Sequence, residues 1–225
     1  MYRTSKDTQE RKEAKRQLIL NTAAKVFAIN GYHNTAVKDI VDAAAVSVGS
    51  FYFYFKSKED LFTELYLNIA KLFRSNAMSV LDVENFSLVK NFTRVMMANL
   101  WMYERNRDIS KIMLLEASAI NPEFQKIRTA SMKESAQTMA VWFERFKAHH
   151  SVNIPDARIA SLIYEGSFYY LINDWLESDA FVRLTDYGYD FCVYNLQALK
   201  ISFEEDSIRG YIDEVLAELE ESHKN

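Results

Sequence analysis

The amino-acid sequence predicts an all-α protein in which a small three-helix unit precedes a larger helical body. Two observations carry that expectation. Five glycines and two prolines in 225 residues leave long stretches with little to break a helix, and 49% of the residues are hydrophobic. Apolar residues also recur at i, i+3, i+4 and i+7 along much of the chain, as they do on a helix buried along one side. The division is placed between residues 1–56 and residues 57–225.

A first helix is expected over residues 8–30, with Ile19, Ala23, Val26 and Phe27 facing inward and Gly31 ending it. Val37, Ile40, Val41 and Ala44 form one stripe on a second, short helix. Residues 45–47 are the turn. Val48, Phe51, Tyr52 and Phe55 repeat the spacing on a third helix that packs on the second. Ser57 and Asp60 read as a capping box opening a long helix to residue 81, with Leu61, Leu65, Ile69 and Leu72 inside. Further helices are expected over residues 87–105, 108–119, 122–150, 156–178 and 181–201, with Pro122 and Pro155 at helix starts. Ile208, Tyr211, Ile212, Val215, Leu216 and Leu219 mark a tenth.

Two stub helices joined by a tight turn have the layout of a helix-turn-helix module, whose second helix commonly lies in a DNA major groove. The same residues resemble the N-terminal domain of tetracycline-repressor-like (TetR) transcriptional regulators. The matching marks are Gly31-Tyr32, Thr35, Asp39-Ile40, A-x-V-S-x-G from Ala44 to Gly49, and F-Y-x-Y-F-x-S-K-E-D-L from Phe51 to Leu61. They span about a quarter of the chain. The resemblance implies DNA contacts by Thr35 and Lys38 near the second helix, and by Ser47, Val48, Gly49, Ser50, Tyr52, Phe53 and Tyr54 around the third. It implies a phosphate contact by Lys58. Thr35 and Ser57 also read as helix caps. The chain departs from the family at Val48, where a polar or basic residue is frequent, and at Tyr54, where histidine is. The third helix therefore lacks Arg, Lys, Asn and Gln, the strongest base readers. Ser47, Ser50, methyl contacts by Val48 and Phe53, and DNA shape are left to carry sequence recognition. Arg3, Lys6, Arg11, Lys12, Lys15 and Arg16 read either as a DNA-contacting arm or as a solubilising tail.

Charge separates along the chain in the same sense. Residues 1–58 hold ten Lys and Arg against five Asp and Glu, although the whole chain is −4. Only the N-terminal unit is suited to a polyanion. The single cysteine, Cys192, argues against a disulfide framework, and the charged N-terminus lacks a secretion signal's apolar stretch. No apolar run is long enough for a membrane span. A cytoplasmic protein that does not act on membranes is the expectation. No nucleophile elbow, glycine-rich phosphate loop or paired-cysteine motif occurs, and His149-His150 lack companions at metal-ligand spacing. Neither catalysis, a cofactor nor a metal is expected.

In the body, Ile159, Leu162, Ile163 and Tyr170 lie on one face of a helix, and Tyr164, Phe168, Leu171 and Trp175 on another. A helix apolar on two faces is either central in a large core or shared between a core and a partner, and the resemblance implies a homodimer through this region. Met96, Trp101, Met113, Trp142, Phe143, Phe146, Phe168 and Tyr169 concentrate apolar bulk, with Glu116 and Asn173 as polar interruptions. Such stripes are usually core; the resemblance implies a cavity for a small apolar or amphipathic inducer. The leading expectation is a ligand-released repressor on palindromic double-stranded operator DNA. The rivals are a helical enzyme or carrier with a vestigial head, and a DNA-binding factor without an inducer.

Overall fold

A computed structural model describes residues 6–82, 84–116, 120–149, 154–178 and 182–224; these form ten α-helices and no strand. The chain divides into two units. One comprises Met1–Ile69 and Asp108–Arg128, the other Ala70–Arg107 and Thr129–Asn225. The N-terminal unit therefore extends past the expected boundary at residue 56 and recruits a segment from far along the chain.

In the first unit, α1 (Lys6–Asn30), α2 (Val37–Ala43), α3 (Val48–Tyr54) and the start of α4 (Lys58–Ser79) surround Ile19, Phe27, Ile40, Phe51, Phe55 and Leu61, each 0–1% exposed. Gly31 ends α1 at φ 78°, where its N–H returns to Phe27 O at 2.8 Å. The recruited segment begins in α6 (Arg107–Lys111), which widens at once into a π-helix, Ile112–Glu116, where one α-helix was expected over residues 108–119. A π turn bonds i to i+5 and is wider than the 3.6 period on which that expectation rested. Ile109, Ile112 and Met113 still face inward, where they join Phe27, Phe62 and Leu65 around an apolar void of about 10 Å³. That is scarcely room for one water molecule. Phe124, on α7 (Pro122–His149), closes the same core edge-on to Phe62 at 5.3 Å and Tyr66 at 5.2 Å.

The second unit is built on α5 (Leu88–Arg105), α8 (Ala157–Glu177), α9 (Gly188–Ala198) and α10 (Glu205–Lys224). The expected helix over residues 181–201 is shorter. A 3₁₀ turn, Leu184–Tyr187, precedes α9, because the Glu104 carboxylate accepts both the Thr185 N–H and its hydroxyl at 2.8 Å. Arg107 also acts structurally here. Its Nη2 donates to the carbonyls of Leu176 and Ser178 at the end of α8, and its guanidinium stacks 4.3 Å from the Trp175 ring.

Buried Arg94 fastens α10 to α5. It donates to Val80 O at 3.1 Å and to both oxygens of Glu218, at 3.1 and 2.5 Å. The guanidinium holds Glu218 below the usual carboxylate range. A carboxylate depressed in the fold stabilises above its unfolded pKa, and that contribution is lost as pH falls through the folded value. Arg94→Ala is expected to cost about 2 kcal/mol, since it strands the Val80 carbonyl while the half-exposed carboxylates can return to water. Urea melts at pH 7 and pH 4 check both points: the difference between wild type and variant should shrink in acid. Among the described residues, no helix is long and apolar enough to cross a membrane.

Candidate nucleic-acid interface

Local hydrogen bonding explains why this segment folds as two crossed stubs. The Asp39 carboxylate accepts the Ala36 N–H at 2.7 Å, satisfying a free donor at the start of α2. The chain leaves α2 through Ala45, at φ 51°, which lets the Val46 N–H reach back to Val41 O at 3.0 Å. Ser47 caps α3: its hydroxyl accepts the Ser50 N–H at 3.1 Å and donates to Ser50 Oγ at 3.2 Å. Phe51 and Phe55 then anchor α3 in the core.

What remains of α3 faces outward. Val48 is 49% exposed, Tyr52 55% and Phe53 66%. Tyr54, half-buried, stands edge-on to Phe53 at 4.9 Å. A Cβ on Gly49 would meet only Ser47 Oγ, at 3.9 Å. The protein's own packing therefore does not demand glycine there. Lys38 is exposed on α2. These residues share one unit with the outward face of α3.

Two of the expected contacts take other roles. Thr35 is 2% exposed, and its hydroxyl donates to Gly31 O at 2.7 Å, so it neither caps α2 nor presents its side chain to DNA. The N-cap is Ala36. Lys58 donates to Tyr32 O at 2.8 Å and Thr35 O at 2.7 Å, with its ammonium 4.2 Å over the Tyr32 ring. Burial pushes its pKa down. Two of its three N–H groups are thus committed within the protein, and at most one remains for a phosphate. Beside it, the Asp60 carboxylate turns back to the Lys56 N–H at 2.9 Å; the Ser57 hydroxyl accepts from Asp60 N–H at 3.2 Å, half of the expected capping box. The basic N-terminal stretch is helical from Lys6 onward rather than an arm, with Arg16 paired to Glu64. Arg3 lies outside the described residues.

The body candidates do not converge on one pocket. Met113 belongs to the core of the first unit. Trp101 packs against His223 on α10 and lies near Arg105. Trp142 and Phe146 form a half-buried pair on α7, 5.9 Å apart, and Phe146 also meets the Phe143 ring at 6.4 Å. Asn173 spends its amide on Tyr169 O at 2.7 Å within α8, where Tyr169 is half-buried. The side chains of Glu116 and His149, and all of His150, lie outside what is described. Met96, Phe143 and Phe168 do meet, around Tyr164: its hydroxyl donates to Met96 Sδ at 2.8 Å, and its ring stacks on Phe168 at 6.0 Å. Tyr103 extends this wall toward Phe73.

Beside this ring cluster lies a carboxylate that sequence reading missed, Glu165. It accepts from Ser135 Oγ at 2.9 Å, and burial pushes its pKa up. The signal available was an acidic residue between the apolar positions of α8. A carboxyl raised in the fold costs stability as pH climbs from its unfolded value toward the folded one, because the unfolded chain ionises first. Glu165→Gln is expected to raise the melting temperature at pH 7 and leave it nearly unchanged at pH 4. A drop at pH 7 would mean the charge is stabilising.

Residues 19–65 match the model described as bacterial regulatory proteins, tetR family. The chain is 26% identical over 181 residues to the probable acrEF/envCD operon repressor of Escherichia coli K12, covering 78% of this chain and 79% of that protein. Two solved structures share the fold. The fatty acid degradation regulator FadR from Bacillus halodurans aligns with a TM-score of 0.72 at 21% identity, over 84% of this chain and 97% of that one. FadR from Bacillus subtilis, in complex with stearoyl-CoA, aligns with a TM-score of 0.70 at 19% identity, over 80% and 96%.

Proposed function

The chain belongs to the tetR family of bacterial regulatory proteins, and from that premise we propose a homodimeric transcriptional repressor that leaves a palindromic operator when a small apolar or amphipathic molecule enters its body. The observation that carries this reading is α3, anchored by Phe51 and Phe55 and exposed along Val48, Tyr52 and Phe53. A short helix so presented fits a major groove. Ser47, Ser50, Gly49, Tyr54 and Lys38 complete the DNA face, with the one remaining N–H of Lys58 at its margin.

The proposed homodimer uses the outer face of α8. Ile159 is 41% exposed, Leu162 46%, Ile163 64% and Tyr170 75%, while Tyr164, Phe168 and Trp175 on the other side are buried. Four large apolar residues left in water on one stripe are an interface signature. The proposed ligand lies against the Phe73, Tyr103, Tyr164 and Phe168 rings, with Glu165 in place of Glu116 orienting a hydroxyl or cationic head group. Stearoyl-CoA in the Bacillus subtilis FadR complex is an example of an amphipathic ligand in a related fold. Release follows if the ligand favours a conformer whose two recognition helices are wrongly spaced for the half-sites.

Selection of duplexes from a random pool tests the reading. The expected product is a near-palindrome with half-sites about one helical turn apart. Thymines should lie opposite Val48 and Phe53; replacing one by uracil should weaken binding about threefold to fourfold, from ~0.8 kcal/mol per buried methyl group. No enriched sequence would favour a carrier or enzyme with a vestigial head. Enrichment with no release by hydrophobic cations, acyl derivatives or polar metabolites would favour a factor without an inducer.

A further inference from the structure

The outer turns of α1 have no place in the protein's own core. On one face of that helix Lys12, Arg16, Ile19 and Ala23 follow at i, i+4, i+7 and i+11. Ala23 and Ile19 are fully buried. One turn outward, the Arg16 guanidinium lies 5.4 Å over the Phe55 ring. A further turn outward, the Lys12 ammonium lies 5.5 Å over the Phe53 ring. From Thr8 to Lys15 every residue is exposed. Helical turns without tertiary packing are marginal in water. Residues 6–16 hold five Lys and Arg against three Asp and Glu, in a chain of net charge −4. This exposed, basic stretch borders the outward face of α3 through Phe53.

We propose that Lys12 is a DNA-backbone contact positioned by Phe53, so that the outer turns of α1 and the exposed face of α3 hold one stretch of duplex together. This rests on reading α3 as the groove-binding helix. The ring face attracts the ammonium and restricts where it can go, yet it accepts no conventional hydrogen bond, so the N–H groups stay available to phosphate oxygens. Among the described residues no carboxylate pairs with Lys12. Phe53 gains from the same arrangement: held between Lys12 and the Tyr54 ring, it is set in advance for a thymine methyl. The outer part of α1 is thereby assigned to the nucleic acid.

The test uses a fluorescein-labelled duplex selected from a random pool by the wild-type protein, with affinity measured across a salt series. Lys12→Ala is expected to flatten the slope of log K against log salt by about 1.8, the share of two phosphate contacts, because the proposed homodimer carries the substitution twice. Its thermal midpoint should match wild type, since Lys12 makes no buried contact. Lys12→Arg should restore the slope. Phe53→Leu should shrink the effect of Lys12→Ala, so that the double variant loses less than the product of the two single losses. An unchanged slope in Lys12→Ala, or losses that simply multiply, overturns the proposal. A wild-type protein that binds no duplex overturns the functional reading instead, and is seen before any variant is measured.

Discussion

Ile163→Asp is expected to leave a folded monomer with DNA affinity lowered roughly 10²- to 10⁴-fold, the range lost when a second linked binding event is removed. Ile163 is 64% exposed on the stripe it shares with Ile159, Leu162 and Tyr170, so a carboxylate there costs the isolated chain little. In a two-fold dimer each substitution appears twice on the same surface patch. Two unpaired carboxylates would then be desolvated where apolar side chains had met, a penalty of several kcal/mol. The core side of α8, carried by Tyr164, Phe168 and Trp175, is untouched, so helicity and a cooperative melt should persist. Sedimentation velocity and fluorescence anisotropy on the selected duplex read both effects. A variant that remains dimeric at micromolar concentration would place the interface elsewhere.

Lys58→Ala should act first on the fold and only then on DNA. It removes two charge-assisted hydrogen bonds, to Tyr32 O and Thr35 O, and a cation packed on the Tyr32 ring. At about 1.5 kcal/mol for each such bond, the loss approaches 3 kcal/mol, reduced by water reaching the part-buried carbonyls. The turn those carbonyls occupy joins α1 to α2, so loosening it disturbs the placement of α3. A lower thermal midpoint together with weakened binding to all duplexes is the expected pair of results. Loss of affinity and a flatter salt slope at an unchanged midpoint would instead make Lys58 chiefly a phosphate contact.

The same lysine shows where reading from sequence ran out. Its place at the start of α4 was legible from the Ser57–Leu61 spacing, and a cation at a helix N-terminus does need a partner. Partners as distant along the chain as Tyr32 and Thr35 are set by how α1, α2 and α4 cross, which no local pattern encodes. Thr35 failed similarly: as Thr before an apolar stripe it reads as a cap, but Gly31 at φ 78° brings a carbonyl within reach of its hydroxyl. In the body, Met113 and Trp101 have the composition of pocket walls and lie in different compact units. Helical periodicity tells which side of a helix is apolar and says nothing about which neighbour it meets.

By itself, then, the sequence determined what depends on neighbours three or four residues apart: ten helices, the tight α2–α3 turn, the buried pair Phe51 and Phe55, the exposed Phe53, and the two-faced α8. These follow from helical periodicity and turn chemistry, which act within a few residues and survive in one dimension. Tertiary structure alone decided the rest. It brought Ile112, Met113 and Phe124 into the core of the N-terminal unit, turned Lys58 inward, set Lys12 above Phe53, and left Glu165 part-buried beside the aromatic wall. Each of these joins residues far apart in sequence, and the close packing of whole helices determines which of their side chains meet.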